Sequence, residues 1–155
     1  MTVEQVEQGP RRVARTVEVP ASADDVFALV ADPHRHGELD GSGTVRDTVS
    51  GPQRLSQGAQ FSVAMKQFGI PYRITSTVTR FEDGRLVEWS SPAGHRWRWE
   101  LTPLTLTSTR VTETFDYSTV PAMQGKVFEL LGFPRQNAAG IEATLRQLAS
   151  RYARP

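Results

Sequence analysis

Glu113 is the residue of this sequence best placed for proton chemistry. In the run Thr109 to Ser118 it shares odd positions with Val111, Phe115 and Tyr117. A strand sends alternate side chains to opposite faces, so Glu113 belongs to the covered, apolar face. A carboxylate there is costly unless paired or protonated. Desolvation raises such a group's pKa and suits it to general acid or base work. Two plainer arrangements compete. Arg15 shares a face with Val13 and Val17 and can pair with Glu113, or a bulge can turn the carboxylate outward. His95 is the second candidate. It opens the run His95-Arg96-Trp97-Arg98-Trp99-Glu100-Leu101-Thr102, where odd positions are ring-bearing or apolar and even positions polar. At the start of that strand it can meet a ligand carbonyl or relay a proton near a cavity mouth, or simply stand at the rim.

Two of the three tryptophans, all but Trp89, lie on that strand's covered face. Tryptophan is large and amphipathic, and a row of such rings fills a core or lines a pocket. The same parity selects Phe61, Val63 and Met65 on one earlier strand and Tyr72, Ile74 and Ser76 on the next, with Phe115 and Tyr117 on the last. These side chains either bind and orient a ligand or are core residues with satisfied hydroxyls. Leu130 and Leu131, on a helical stripe with Met123 and Val127, are expected to help close the space.

Other clusters carry less. His34, His36, Glu38 and Asp40 suggest a metal, but an i, i+2 histidine pair does not place two imidazoles on one helical face. The plainer reading is a solvated loop with Asp40 as a turn or cap residue. Gly41-Ser42-Gly43 is no phosphate loop, since it lacks a lysine and does not lead from strand to helix. No metal and no cofactor are expected. The absence of cysteine excludes disulfides and thiolate chemistry. Lys+Arg 18 against Asp+Glu 17 leaves no concentrated basic charge for nucleic acid. No apolar run approaches the roughly 20 residues of a membrane span, and Met1 to Gln8 is polar, unlike a signal peptide. A cytoplasmic protein is expected, monomeric or homodimeric.

The elements that position these groups follow from punctuation and period. Residues 1–10 read as a flexible lead-in ending at Gly9-Pro10, and 11–153 as one domain. A strand over 11–19 is followed by Ser22, an N-cap with Asp25 three residues on, and a short helix carrying Val26, Phe27, Leu29 and Val30. A turn of helix and a loop occupy 33–43. Six period-two segments follow, separated by Gly-, Pro- and Asp-rich turns, which implies an antiparallel meander. Gly132 is a left-handed cap, and Ile141, Leu145, Leu148 and Tyr152 mark one face of a long final helix. The fold class is therefore α+β: a curved sheet of seven strands around a C-terminal helix, with a hollow between them.

This order resembles the START-like, helix-grip superfamily, also called SRPBCC, over residues 11–153. The local matches are Val-Pro-Ala-Ser-Ala-Asp-Asp-Val-Phe-Ala-Leu-Val-Ala-Asp-Pro (19–33), Trp-x-Trp-x-Leu-x-Pro (97–103) and Thr-Arg-Val-Thr-Glu (109–113). The first two resemble bacterial members labelled polyketide cyclase/dehydrase. Where many members carry a tryptophan after the first helix, this chain has His34 to Asp40. The resemblance implies an internal cavity that binds a hydrophobic, lipid- or polyketide-like molecule. It also leaves open a cyclase, aromatase or dehydratase using an inward acid or base, or an interaction module without ligand, because one cavity serves several activities.

Overall fold

In a computed structural model, residues 2–39, 45–67 and 69–153 are described. Eight strands form one antiparallel sheet in the order β1-β2-β8-β7-β6-β5-β4-β3. They are β1 (Glu4–Val6), β2 (Arg12–Val19), β3 (Val45–Ser50), β4 (Gln60–Gln67), β5 (Ile70–Glu82), β6 (Leu86–Ser90), β7 (Arg96–Thr105) and β8 (Ser108–Asp116). The meander β3 to β8 closes on β2, so the second strand of the chain lies beside the last. The expected count of seven strands is corrected to eight. Glu4–Val6 is no loose lead-in, because it pairs with Ala14 to Thr16 as an edge strand.

Helix α1 (Ala23–Val30) begins where predicted, and the Asp25 N–H donates to Ser22 Oγ at 3.2 Å. Its apolar side buries Val26, Phe27, Leu29 and Val30. A 3₁₀ turn, Pro33–Arg35, and the single turn α2 (His36–Leu39) follow. Helix α3 (Ala122–Leu130) ends before Gly132, whose φ of 78° lets the chain turn directly into α4 (Phe133–Tyr152). Helix α4 lies over β2 and β8. Its C-terminal half packs Leu145, Leu148 and Ala149 into the core beside Val17, Val19, Val26 and Val111.

The outer face of the sheet is less wet than its polar residues suggest. Glu88 is fully buried there. Arg98 Nε donates to Glu88 Oε2 at 2.7 Å and Thr79 Oγ1 to Glu88 Oε1 at 3.0 Å. Asp116 accepts from Arg12 Nε at 3.1 Å and lies 3.6 Å from Arg98 Nη2. Burial works against the Asp116 carboxylate, but two hydrogen bonds from Ser118 and the Arg12 guanidinium hold its pKa below the ordinary aspartate value. This lattice ties β2 and β5–β8 together, fixing the registers that bring the inner side chains into rows.

Candidate functional site

Two registers generate an aromatic row on the inner face. Across β7–β8, Trp97 stands opposite Phe115, and across β6–β7, Trp89 stands opposite Trp97. The Trp97 and Phe115 ring centroids lie 5.0 Å apart. Phe61 meets the Trp89 ring edge-on at 5.4 Å, and the His36 imidazole stacks on Trp89 at 5.2 Å with 24° between planes. One row further along the sheet, Glu113 stands opposite Trp99 on one side and Arg15 on the other.

These rings face a cavity of about 630 Å³ between the sheet and the N-terminal half of α4. That is ample for a drug-sized molecule. The sheet supplies Phe61, Val63, Tyr72, Ile74 and Ser76 from β4 and β5. Trp89, Trp97, Trp99, Glu113 and Phe115 follow from β6–β8, with His95 at the entry to β7. Helices α3 and α4 supply Phe128, Phe133, Gln136, Asn137, Gly140, Ile141 and Thr144. The residues with charge or proton chemistry are therefore set into a largely aromatic and aliphatic surface.

Glu113 is inward, at 7% exposure, so no bulge turns it out. Arg15 shares its face, but the Arg15 Nε donates to Glu142 Oε1 on α4 at 2.9 Å. His95 shares a hydrogen bond with Ser91, Nδ1 to Oγ at 3.1 Å, and lies between the Phe115 and Phe128 rings at 5.3 and 5.9 Å. Burial holds the His95 pKa below the ordinary histidine value, because desolvation disfavours the charged imidazolium. Burial raises the Tyr72 pKa, so its phenol remains protonated and able to donate.

Several expected positions are corrected. Leu130 and Leu131 do not close the cavity. They are 87% and 59% exposed, as is the rest of their stripe, Met123 and Val127. The turn at Gly132 rotates α3 so that Phe128, with Phe133 just beyond, reaches the cavity instead. Tyr117 is buried off the cavity surface, stacked on Phe115 at 5.7 Å with its hydroxyl directed at Glu129. The Met65 backbone pairs with Tyr72, but its side chain lies outside the described residues. So do Asp40 and Gly41-Ser42-Gly43. The solvated reading holds for His34 and Glu38, which are exposed, but not for His36. His34 Nε2 bonds the Gly51 carbonyl at 2.9 Å, while His36 is buried and its Nε2 donates to the Val30 carbonyl at 2.7 Å. Glu38 pairs with Arg35 and Arg151.

Three sets of cavity residues escaped the parity argument. Trp89 follows from hairpin register across Pro92-Ala93-Gly94, which places it opposite Trp97. Phe133, Asn137, Gly140 and Thr144 continue the Ile141–Leu145–Leu148 stripe back toward the helix start. Apolar periodicity overlooks them because the stripe turns polar where it meets a cavity. His36 has no local signal, since only tertiary packing brings it onto Trp89.

A curved antiparallel sheet gripping one long helix around an open volume defines the helix-grip class. The sequence model described as "Polyketide cyclase / dehydrase and lipid transport" matches residues 10–153, and the chain belongs to that family. It is 58% identical over 156 residues to the uncharacterized protein Rv0088 of Mycobacterium tuberculosis, covering 99% of this chain and 70% of that protein. Among solved structures, a START superfamily protein from Mycobacterium smegmatis is similar at 17% identity, with a TM-score of 0.66 over 91% of this chain and 96% of that one. The Zhui aromatase/cyclase from a Streptomyces species is similar at 19% identity, with a TM-score of 0.62 over 92% and 96%. These two likenesses show the fold alone. No helix among the described residues is long and apolar enough to cross a membrane.

Proposed function

We propose that this protein binds a hydrophobic small molecule in the cavity between its sheet and α4. The observation that carries the reading is the aromatic row Phe115–Trp97–Trp89, flanked by Phe61 and His36, along an open volume of about 630 Å³. Such a surface gains free energy when a ligand displaces water from it, roughly 25 cal/mol for each Å² of apolar area covered. An interaction module without ligand has no use for that open volume.

A second reading has its own support: Glu113 and His95 both line the cavity. In a cyclase-, aromatase- or dehydratase-type reaction the walls fold the substrate. The His95 imidazole accepts a proton from the substrate carbon, and the imidazolium so formed returns it to the departing or enolising oxygen. Ser91 then acts as a positioning residue for His95 through its Nδ1 contact. The two readings share the ligand site and differ only in turnover.

Native mass spectrometry of freshly purified protein, paired with titration of the neutral lipophilic dye Nile red, tests the binding reading. The expected results are a co-purifying small mass that organic extraction removes, and saturable dye binding that quenches tryptophan fluorescence. An unliganded mass together with no saturable dye binding refutes it.

A further inference from the structure

We infer that the cavity selects by charge: it takes uncharged or cationic amphiphiles and rejects anionic ones such as fatty-acid carboxylates. This rests on the binding reading above and narrows its ligand class. Among the described residues lining the cavity there is no lysine or arginine, and the titratable side chains are the Glu113 carboxyl, the His36 and His95 imidazoles and the Tyr72 phenol. Arg15, opposite Glu113 across β2–β8, is not among the lining residues, and its guanidinium is engaged by Glu142. Whichever way Glu113 is satisfied, no lysine or arginine among the described lining residues is left over for a guest. The two lining imidazoles are engaged by the protein: His36 Nε2 donates to the Val30 carbonyl and its ring stacks on Trp89, and His95 Nδ1 shares a hydrogen bond with Ser91 Oγ in surroundings whose burial disfavours the charged ring.

A carboxylate moved from water into such a surface loses its hydration and meets no counter-charge, an arrangement that proteins avoid or neutralise. One feature of the wall favours anions, the start of α4 at Phe133, which lacks a side-chain cap. At a solvent-accessible mouth a helix N-terminus changes affinity by at most about fivefold, and Pro134 removes one of its N–H donors. The polar groups that remain are neutral donors and acceptors: Tyr72, Ser76, Ser91, Thr144, Gln136 and Asn137. They match hydroxyl, phenol, carbonyl or amine groups on an otherwise apolar molecule.

The test compares three probes with the same ten-carbon chain, decanol, decylamine and decanoate, as competitors of bound Nile red at pH 8 and constant ionic strength. Decylamine and decanoate are both charged and strongly hydrated, so their ratio isolates the sign of the cavity's field. The expected result is displacement by decanol and decylamine, with decanoate at least tenfold weaker than decylamine. Glu113→Gln, if folded by circular dichroism, reduces the amine-to-carboxylate ratio to near one. Decanoate matching or exceeding decylamine on the wild-type protein overturns the charge selection while leaving ligand binding intact. Failure of all three probes, with no saturable Nile red binding, overturns the binding reading itself. The wild-type ratio decides the matter even if the variant does not fold.

Discussion

Trp97 and Trp99 are two residues apart on one strand, yet truncating them should have opposite consequences. Trp97 is half-buried between Phe115 and Trp89 with a face toward the cavity, whereas Trp99 is 3% exposed and belongs mainly to the core. An indole buries about 150–250 Å² in all, so a guest lying on one face covers about 80 Å². At about 25 cal/mol per Å² this is about 2 kcal/mol, or about thirtyfold in Kd. Trp97→Ala should therefore weaken Nile red binding about thirtyfold while most of the fold's stability is retained. Trp99→Ala leaves a hole among packed neighbours and should cost about 3–5 kcal/mol. For a domain of this size that lowers Tm by about 6–20 °C. The molecules that remain folded should bind the dye with a smaller loss than Trp97→Ala. Fluorescence titration and thermal melts on the two variants measure both quantities. A folded Trp97→Ala protein that binds the dye as tightly as wild type would refute the assignment of the aromatic row to a binding surface.

Four further outcomes are expected. Leu130→Ser and Leu131→Ser should change stability by no more than about 0.5 kcal/mol and leave dye affinity unchanged, while Phe128→Ala weakens it; the reverse pattern in titrations restores the leucine stripe as the closure. Gly51→Ala should destabilise by at least about 1–3 kcal/mol from its φ alone. That φ is 137°, and a Cβ would stand 2.8 Å from Phe61 Cβ, so chemical denaturation and dye binding should both report the loss. Asp116 titrates below its ordinary value in the fold, so its contribution is present above about pH 4 and is lost as pH falls toward the depressed folded pKa. Asp116→Asn should flatten that part of the acid unfolding profile, and an unchanged profile contradicts the Ser118–Arg12 arrangement. His95 is harder to protonate folded than unfolded, so stability should fall as pH drops below about 6.5, its NMR titration midpoint should lie below that value, and His95→Gln should remove the slope.

How much of this could be read from the residues depends on what each signal encodes. Period-two runs fixed the meander, and the inward face of Glu113, Trp97, Trp99 and Phe115, because strand geometry leaves a side chain only two directions. Ser22 and Gly132 were legible for the same reason: an N-cap and a left-handed turn demand particular residue types. Glu4–Val6 was not, since a three-residue edge strand carries too little alternation to register. The stripe Met123, Val127, Leu130 and Leu131 misled because periodicity gives a helix an apolar face without saying what that face meets; here it meets solvent. His36 shows the converse, a polar residue whose burial comes from stacking on Trp89, which lies fifty-three positions on in the chain. Arg15 and Glu113 share a face by parity and stand opposite each other across β2–β8, but the Arg15–Glu142 bond has no sequence signal, because only the packed α4 supplies that partner.

The most direct test of the central claim follows the three indole N–H resonances of ¹⁵N-labelled protein during titration with an uncharged ligand such as decanol. All three tryptophans, Trp89, Trp97 and Trp99, line the cavity, whereas Leu130 and Leu131 lie outside on an exposed apolar stripe. Binding in the cavity predicts saturable shifts of the indole resonances, with the backbone amides of Leu130 and Leu131 little changed. Saturable shifts confined to the α3 amides, with the three indoles unmoved, would contradict it.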